Sequence, residues 1–75
     1  MLKEKLYKAV MSHAQGNIDK AVANVEVYMS NPVGVADHSD IVGEIIKELK
    51  VINSNQEVKD TLEKHFGADK VNLNG

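Results

Sequence analysis

The stretch NPVGVADHSD, residues 31–40, interrupts a chain that otherwise favours helix, and it decides the fold. Pro32 biases the preceding residue, Asn31, away from the helical region of backbone conformation. Gly34 permits the positive φ that a chain reversal uses. The sequence therefore predicts a turn here, with one helix before it and another after it.

The residues before the turn have the pattern of one long helix. They contain no Pro between residues 2 and 30, and apolar side chains recur at steps of alternately four and three residues, which keeps one stripe of a helix facing a partner. Gly16 beside Asn17 could end one helix and start another, but the pattern passes through Gly16 without losing phase. We therefore predict a first helix over about residues 3–30. Its apolar interface positions, the α1 seam, are Tyr7, Met11, Ala14, Ile18, Ala21, Val25 and Tyr28.

The residues after the turn predict a second helix over about residues 38–66. Asp37 is a suitable N-cap, and Asp40 would lie three residues further on, where a carboxylate interacts favourably with the positive end of the helix dipole. Gly67 supplies a stop. The predicted apolar positions are Ile41, Ile45, Leu49, Ile52, Val58, Leu62 and Phe66.

One feature of the sequence favours two helices, not one, after the turn. Ser54 and Glu57 have the spacing of a capping box, so a third helix could begin after a break near residues 53–55 and produce a three-helix bundle. Folding the chain into a hairpin nevertheless sets Tyr28 against Ile41 and every apolar position of the first helix against one residue of the second at constant alignment. We therefore predict an all-α, antiparallel two-helix hairpin, with the three-helix bundle as the alternative.

The second helix carries more apolar surface than one neighbour can cover. A row at Val42, Ile46 and Leu49 lies beside the main apolar stripe and is the predicted self-association surface. We expect residues 1–66 to form one small domain that dimerises into a four-helix bundle, and residues 67–75 to form a flexible tail. The alternative is that the row is the ordinary fringe of a monomer. Further flanking positions are Val10, Val22, Met29, Val51 and Val58.

Composition argues against several classes of function. The chain has no Cys, a net charge of -2 and nine basic residues that are all Lys, intermixed with eleven acidic ones. Arg-rich basic clusters, the usual mark of nucleic-acid binding, are absent, and no apolar run is long enough to cross a membrane. We expect no nucleic acid, no membrane and no cofactor.

The segment Asp37-His38-Ser39-Asp40 contains the residue types of a hydrolase triad or a metal site. Neighbours at the start of a helix do not point at one another as a triad requires, and zinc would need a further nitrogen or sulfur donor. We therefore predict no catalytic and no metal-ligating residues. Turn formation does not explain Val33, Val35 and His38, which are the predicted contacts to a protein partner.

Two further histidines lie on the helices. His13 is expected beside a polar layer at Asn55, where a polar residue among apolar ones would set the alignment of the helices. His65 lies in the last turn of the second helix, where a cation interacts favourably with the helix dipole. Neither is expected to take part in chemistry.

Several segments resemble a known family: Val25-Glu26-Val27-Tyr28, the block NPVGV at 31–35, His38-Ser39-Asp40-Ile41, and Leu62-Glu63-Lys64-His65-Phe66. The chain resembles, over roughly residues 4–66, small helical proteins encoded by large contractile-tailed phages, including those of marine cyanobacteria. It departs from them at Ala36-Asp37, where a Gly-Glu pair is expected. The resemblance implies a phage-encoded protein and supplies no catalytic residue.

Together these observations predict a non-enzymatic, self-associating helical interaction module that acts as a virion component or an assembly accessory. The alternative is a small regulator that binds a host protein through the acidic end of the hairpin near the turn. Either would act in the cytoplasm of an infected cell, and the first also within the virion.

Overall fold

A computed structural model describes residues 1–30 and 40–67 and shows two α-helices within them. Helix α1 spans Leu2–Ser30 and helix α2 spans Ile41–Phe66, so each is about 40 Å long at 1.5 Å per residue. The predicted all-α hairpin is confirmed. The predicted turn and the predicted tail beyond residue 67 lie outside the described residues.

Three side-chain hydrogen bonds join the two helices and show how they are aligned. In these bonds the residue numbers rise along α1 as they fall along α2, so the helices are antiparallel. Asn55 bonds to a residue one turn further along α1 than Ala14, the partner that the sequence pattern assigned to it. Asn17 Nδ2 donates to Asn55 Oδ1 at 3.0 Å, Asn24 Nδ2 donates to Glu48 Oε2 at 3.2 Å, and Lys59 Nζ donates to Gln15 Oε1.

Helix α2 is continuous through residues 53–55, so the alternative three-helix bundle is wrong. The Ser54 hydroxyl donates to the carbonyl of Lys50 at 2.9 Å, and Asn55 Nδ2 donates to the carbonyl of Val51 at 2.8 Å. Both side chains therefore bond back to the preceding turn of the same helix, which is the pattern of polar residues within a helix. Ser54 does not act as a cap.

The N-terminus of α2 is capped by Asp40, and the predicted cap at Asp37 is wrong. Asp40 Oδ1 accepts the backbone N–H of Gly43 at 2.8 Å, and the Asp40 carbonyl accepts the N–H of Glu44 at 3.1 Å. A Cβ at position 43 would displace the Asp40 carboxylate, which is a movable side-chain end. Asp37 itself lies outside the described residues.

Helix α2 ends at Phe66 with Gly67 as its C-cap, as predicted. Gly67 is buried, its backbone is extended, and its N–H donates to the Glu63 carbonyl at 2.9 Å. A Cβ at this position would meet that same carbonyl oxygen, so the close approach requires glycine. The last turn also contains Lys64 and His65, whose positive charges suit the negative end of the helix dipole.

The core of the hairpin lies on one side of α1. The buried apolar side chains of the described residues are Ala14, Ile18 and Ala21, and every predicted member of the α1 seam is buried or half-buried. The two alanines let the helix backbones approach closely on either side of Ile18. The α1 seam is thereby confirmed.

The interface positions of α2 differ from the prediction. Leu49, Val58 and Phe66 are 44%, 47% and 58% exposed. The four-and-three alternation that begins at Ile41 passes through polar residues, because the predicted apolar series departs from it at Leu49 and again between Ile52 and Val58. The half-buried residues of this alternation, here called the α2 seam, are Ile41, Ile45, Glu48, Ile52, Asn55, Lys59 and Leu62.

Candidate functional site

The polar residues of the α2 seam are hydrogen-bonded across the hairpin. Glu48, Asn55 and Lys59 each bond to a side chain of α1, and all three bonds are part-buried. Asn55 uses both ends of its amide, since its oxygen accepts from Asn17 while its nitrogen donates to the Val51 carbonyl. Within the described residues no buried side-chain N or O atom lacks a partner. These polar pairs favour one alignment of the two helices over shifted ones.

Gln15 and Asn17 flank the α1 seam, one directly after a seam residue and the other directly before one, so they mark opposite sides of the hairpin. Residues seven apart on a helix lie on the same side of its seam. Val10 therefore lies on the side of Asn17 and Asn24. Val22 lies on the opposite side, because it is seven residues after Gln15.

One apolar surface lies on the Gln15 side, in the half of the hairpin that contains Ser30 and Asp40. Val42 and Leu49 directly follow seam residues of α2, just as Val22 and Met29 directly follow seam residues of α1. A two-fold rotation about an axis normal to the plane of the two helices exchanges the antiparallel helices and keeps each side of the pair in place. Residues that directly follow the seam on α1 and on α2 therefore lie on the same side of the hairpin. The loop-half patch consists of Val22, Met29, Val42, Ile46 and Leu49, which are 39%, 64%, 69%, 46% and 44% exposed.

A second apolar surface lies on the other side, at the end of the hairpin that contains Leu2 and Phe66. It is an open groove with a volume of about 410 Å³ between Val10 of α1 and the last turns of α2. Its position on the Asn17 side follows from Val10, which is seven residues before Asn17. The free-end groove is lined by Val10, Ser54, Glu57, Val58, Thr61, Leu62 and Phe66.

The charged and ionisable side chains of the described residues are mostly exposed. Lys47 and Glu44 form an exposed ion pair at 3.5 Å, a kind that contributes at most about 1 kcal/mol. His13 is exposed, so the polar layer consists of Asn17 and Asn55 without it. His65 is also exposed, with its ring centroid 6.3 Å from that of Phe66.

The described residues contain neither a candidate metal site nor a helix that could cross a membrane. They contain no cluster of three or more His, Cys, Asp or Glu side chains that could hold a metal ion. Neither of the two helices has a stretch apolar enough to cross a membrane.

The predicted site residues fall into two groups. Val33, Val35 and His38 lie outside the described residues, so their role remains a prediction. Val42, Ile46 and Leu49 are exposed and lie in one row on α2, where a second protein could contact them. Sequence reasoning placed Asn55 in the interface but missed that the polar residues Glu48 and Lys59 also occupy the α2 seam. An unbroken four-and-three count from Ile41 would have found them.

Comparison of the chain with protein-family models, curated proteins and solved structures finds no match. The loop-half patch, the free-end groove and the polar pairs are therefore the features on which a functional proposal can be built.

Proposed function

We propose that this protein is a non-enzymatic helical interaction module that binds a second copy of itself through the loop-half patch and forms a four-helix bundle. The observation that carries the proposal is an imbalance of burial. The described helices bury three apolar side chains, none of them on α2, whereas the five apolar side chains of the loop-half patch remain exposed on one face.

The physical argument concerns the width of this face. It spans both helices, and each square ångström of apolar surface removed from water contributes about 25 cal/mol. A contiguous apolar face of this kind in a soluble protein usually marks an interaction site. Two antiparallel hairpins that cover such faces against each other form a four-helix bundle with short connections.

The cellular context of the proposal comes from the sequence resemblance. The segments at 25–28, 31–35, 38–41 and 62–66 support a phage-encoded protein that acts in the infected host cell or in the virion. A self-associating helical module suits a minor virion component or an assembly accessory. Quantitative mass spectrometry of purified particles tests this part, and a fixed copy number per particle is the expected result.

Self-association is tested by sedimentation equilibrium on the wild type and on Ile46→Glu. The wild type is expected to sediment as a dimer at micromolar concentration. Ile46→Glu places a carboxylate within the loop-half patch, so its dimer should dissociate at least tenfold more readily. The matched control is Val27→Glu, which adds the same charge at an apolar side chain that is 53% exposed and lies outside the patch.

The controls separate the outcomes. Val27→Glu should remain a dimer, because position 27 does not adjoin the loop-half patch. A wild type that stays monomeric and folded at every concentration would contradict the proposal. If that monomer instead bound one host protein with a defined stoichiometry, the regulator would become the better proposal.

A further inference from the structure

We infer that the second copy docks with its turn at the same end of the bundle, so that α1 of each copy lies against α2 of the other. This inference rests on the proposed function and specifies the geometry of its interface. It follows from the positions of the apolar side chains of the loop-half patch along the long axis of the hairpin.

The cross-helix hydrogen bonds define which residues lie at the same level. Asn17 is level with Asn55, and Asn24 is level with Glu48. Both pairs imply the same alignment, since the residues are seven apart on each helix. The bond between Lys59 and Gln15 agrees to within one turn, because the long lysine side chain reaches along the hairpin.

Extending this alignment brings the patch residues of α1 level with those of α2. Val22 lies within one residue of the level of Leu49, which is about 1.5 Å along the axis. Met29 lies within one residue of the level of Val42. The patch is therefore arranged as two apolar layers, each with one side chain from each helix.

A two-fold axis parallel to the helices matches these layers without any axial shift. It places α1 of one copy opposite α2 of the other, so Val22 meets the partner's Leu49 and Met29 meets the partner's Val42. Each contact occurs twice in the dimer. Every pair of adjacent helices is then antiparallel, which also opposes their dipoles.

The opposite docking mode, with the turns at opposite ends, is less favourable. It places α1 of one copy against α1 of the other. The two loop-half patches then overlap only if the two-fold axis crosses the hairpin at the level of Glu26 and Ile46. Two Glu26 carboxylates would then face each other at the interface, and like charges in such positions are unfavourable. Full overlap of the hairpins would instead set the apolar patch against charged side chains of the free end, namely Lys5, Lys8, Asp60 and Glu63.

The inference is tested by disulfide trapping, for which the absence of Cys from the chain is an advantage. Single variants Val22→Cys, Leu49→Cys and Met29→Cys are first shown to sediment as dimers. They are then mixed in pairs, allowed to exchange subunits and oxidised. A disulfide needs Cβ atoms about 3.5–4.5 Å apart, so it reports which residues face each other.

The expected result is a mixed disulfide between Val22→Cys and Leu49→Cys, in several-fold excess over the product of Val22→Cys with Met29→Cys. Mass spectrometry distinguishes these products. Val27→Cys, mixed with the same partners, measures disulfides that arise from random collision. Preferential joining of Val22→Cys to Met29→Cys would overturn the inference, since it indicates turns at opposite ends.

The remaining outcomes separate this inference from the proposed function. A dimer in which no patch pair exceeds the Val27→Cys control also overturns the inference, because the interface then lies elsewhere. A monomeric wild type in sedimentation overturns the proposed function itself. A dimer trapped through Val22→Cys and Met29→Cys leaves the proposed function intact and changes only the geometry.

Discussion

The seams of α1 and α2 face each other, yet they differ in chemistry. The α1 seam is apolar throughout and supplies all the buried side chains of the described residues. The α2 seam has the same spacing but includes Glu48, Asn55 and Lys59, and no α2 side chain is buried. The apolar residues Leu49 and Val58 lie one residue away from it. The comparison shows that spacing places a residue at the interface, whereas its polarity determines how much stability it adds there.

The largest expected effect comes from the α1 seam. Ile18→Ala removes the largest of the buried side chains, which is 8% exposed, and such a change costs about 2–5 kcal/mol of unfolding free energy. Urea unfolding followed by far-UV circular dichroism measures it. Val27→Ala, at an exposed position of the same helix, should change stability by less than about 0.5 kcal/mol. Equal effects of the two variants would contradict the assignment of the core to the α1 seam.

The second prediction concerns the polar pair that joins the seams. Asn17→Leu leaves the part-buried Asn55 oxygen without its donor and should cost about 1–3 kcal/mol. The double variant Asn17→Leu with Asn55→Leu replaces both polar groups by apolar ones and should recover most of that loss. Urea titrations of the wild type, the two single variants and the double variant form a double-mutant cycle. Additive effects would show that the hydrogen bond contributes nothing to the hairpin.

The third prediction exchanges two neighbouring residues of α2. The double variant Glu48→Leu with Leu49→Glu keeps composition and net charge but moves the apolar side chain into the α2 seam. Half-burial of Leu should contribute roughly 1 kcal/mol, and the loss of the Asn24–Glu48 hydrogen bond offsets this gain, so the unfolding free energy of the hairpin should change little. The same exchange removes an apolar residue from the loop-half patch, so dimerisation measured by sedimentation should weaken. A variant that dimerises as well as the wild type would remove Leu49 from the proposed interface.

The smallest effects are expected at a pair of glycines, one on each helix. A Cβ at Gly16 meets nothing within 4 Å, so Gly16→Ala should stabilise the hairpin by roughly 0.5–1 kcal/mol through helix propensity. Gly43→Ala should stabilise it less, because the new Cβ displaces the Asp40 carboxylate, a movable side-chain end, from its capping position. Thermal unfolding of the two variants measures the difference. Equal stabilisation by both would contradict the contact between position 43 and the Asp40 cap.

Predictability from the sequence differed between elements for physical reasons. The α1 seam was predictable because its apolar residues keep one period over the whole helix. The start of α2 was misplaced by three residues, since Asp37 and Asp40 are equally good caps in isolation. In the structure the backbone N–H of Gly43, three residues after Asp40, donates to the Asp40 carboxylate, which identifies Asp40 as the cap.

The candidate surface was predictable only in part. The row at Val42, Ile46 and Leu49 was expected from periodicity within α2. Its continuation onto Val22 and Met29 at matching levels depends on the alignment of the helices, which the polar pairs reveal. The assignment of Leu49 to the hairpin core was wrong because an apolar side chain next to a polar seam residue resembles a seam residue in the sequence.

By itself, the sequence determined the two helices, the apolar stripe of α1 and the antiparallel hairpin, because each depends on local propensity or on the period of one helix. Only the tertiary structure decided which α2 residues face α1. That choice depends on the rotation and axial position of one helix against the other, and these are set by hydrogen bonds between residues 24 to 44 positions apart. The same rotation left Leu49 and Val58 exposed, on opposite sides of the hairpin.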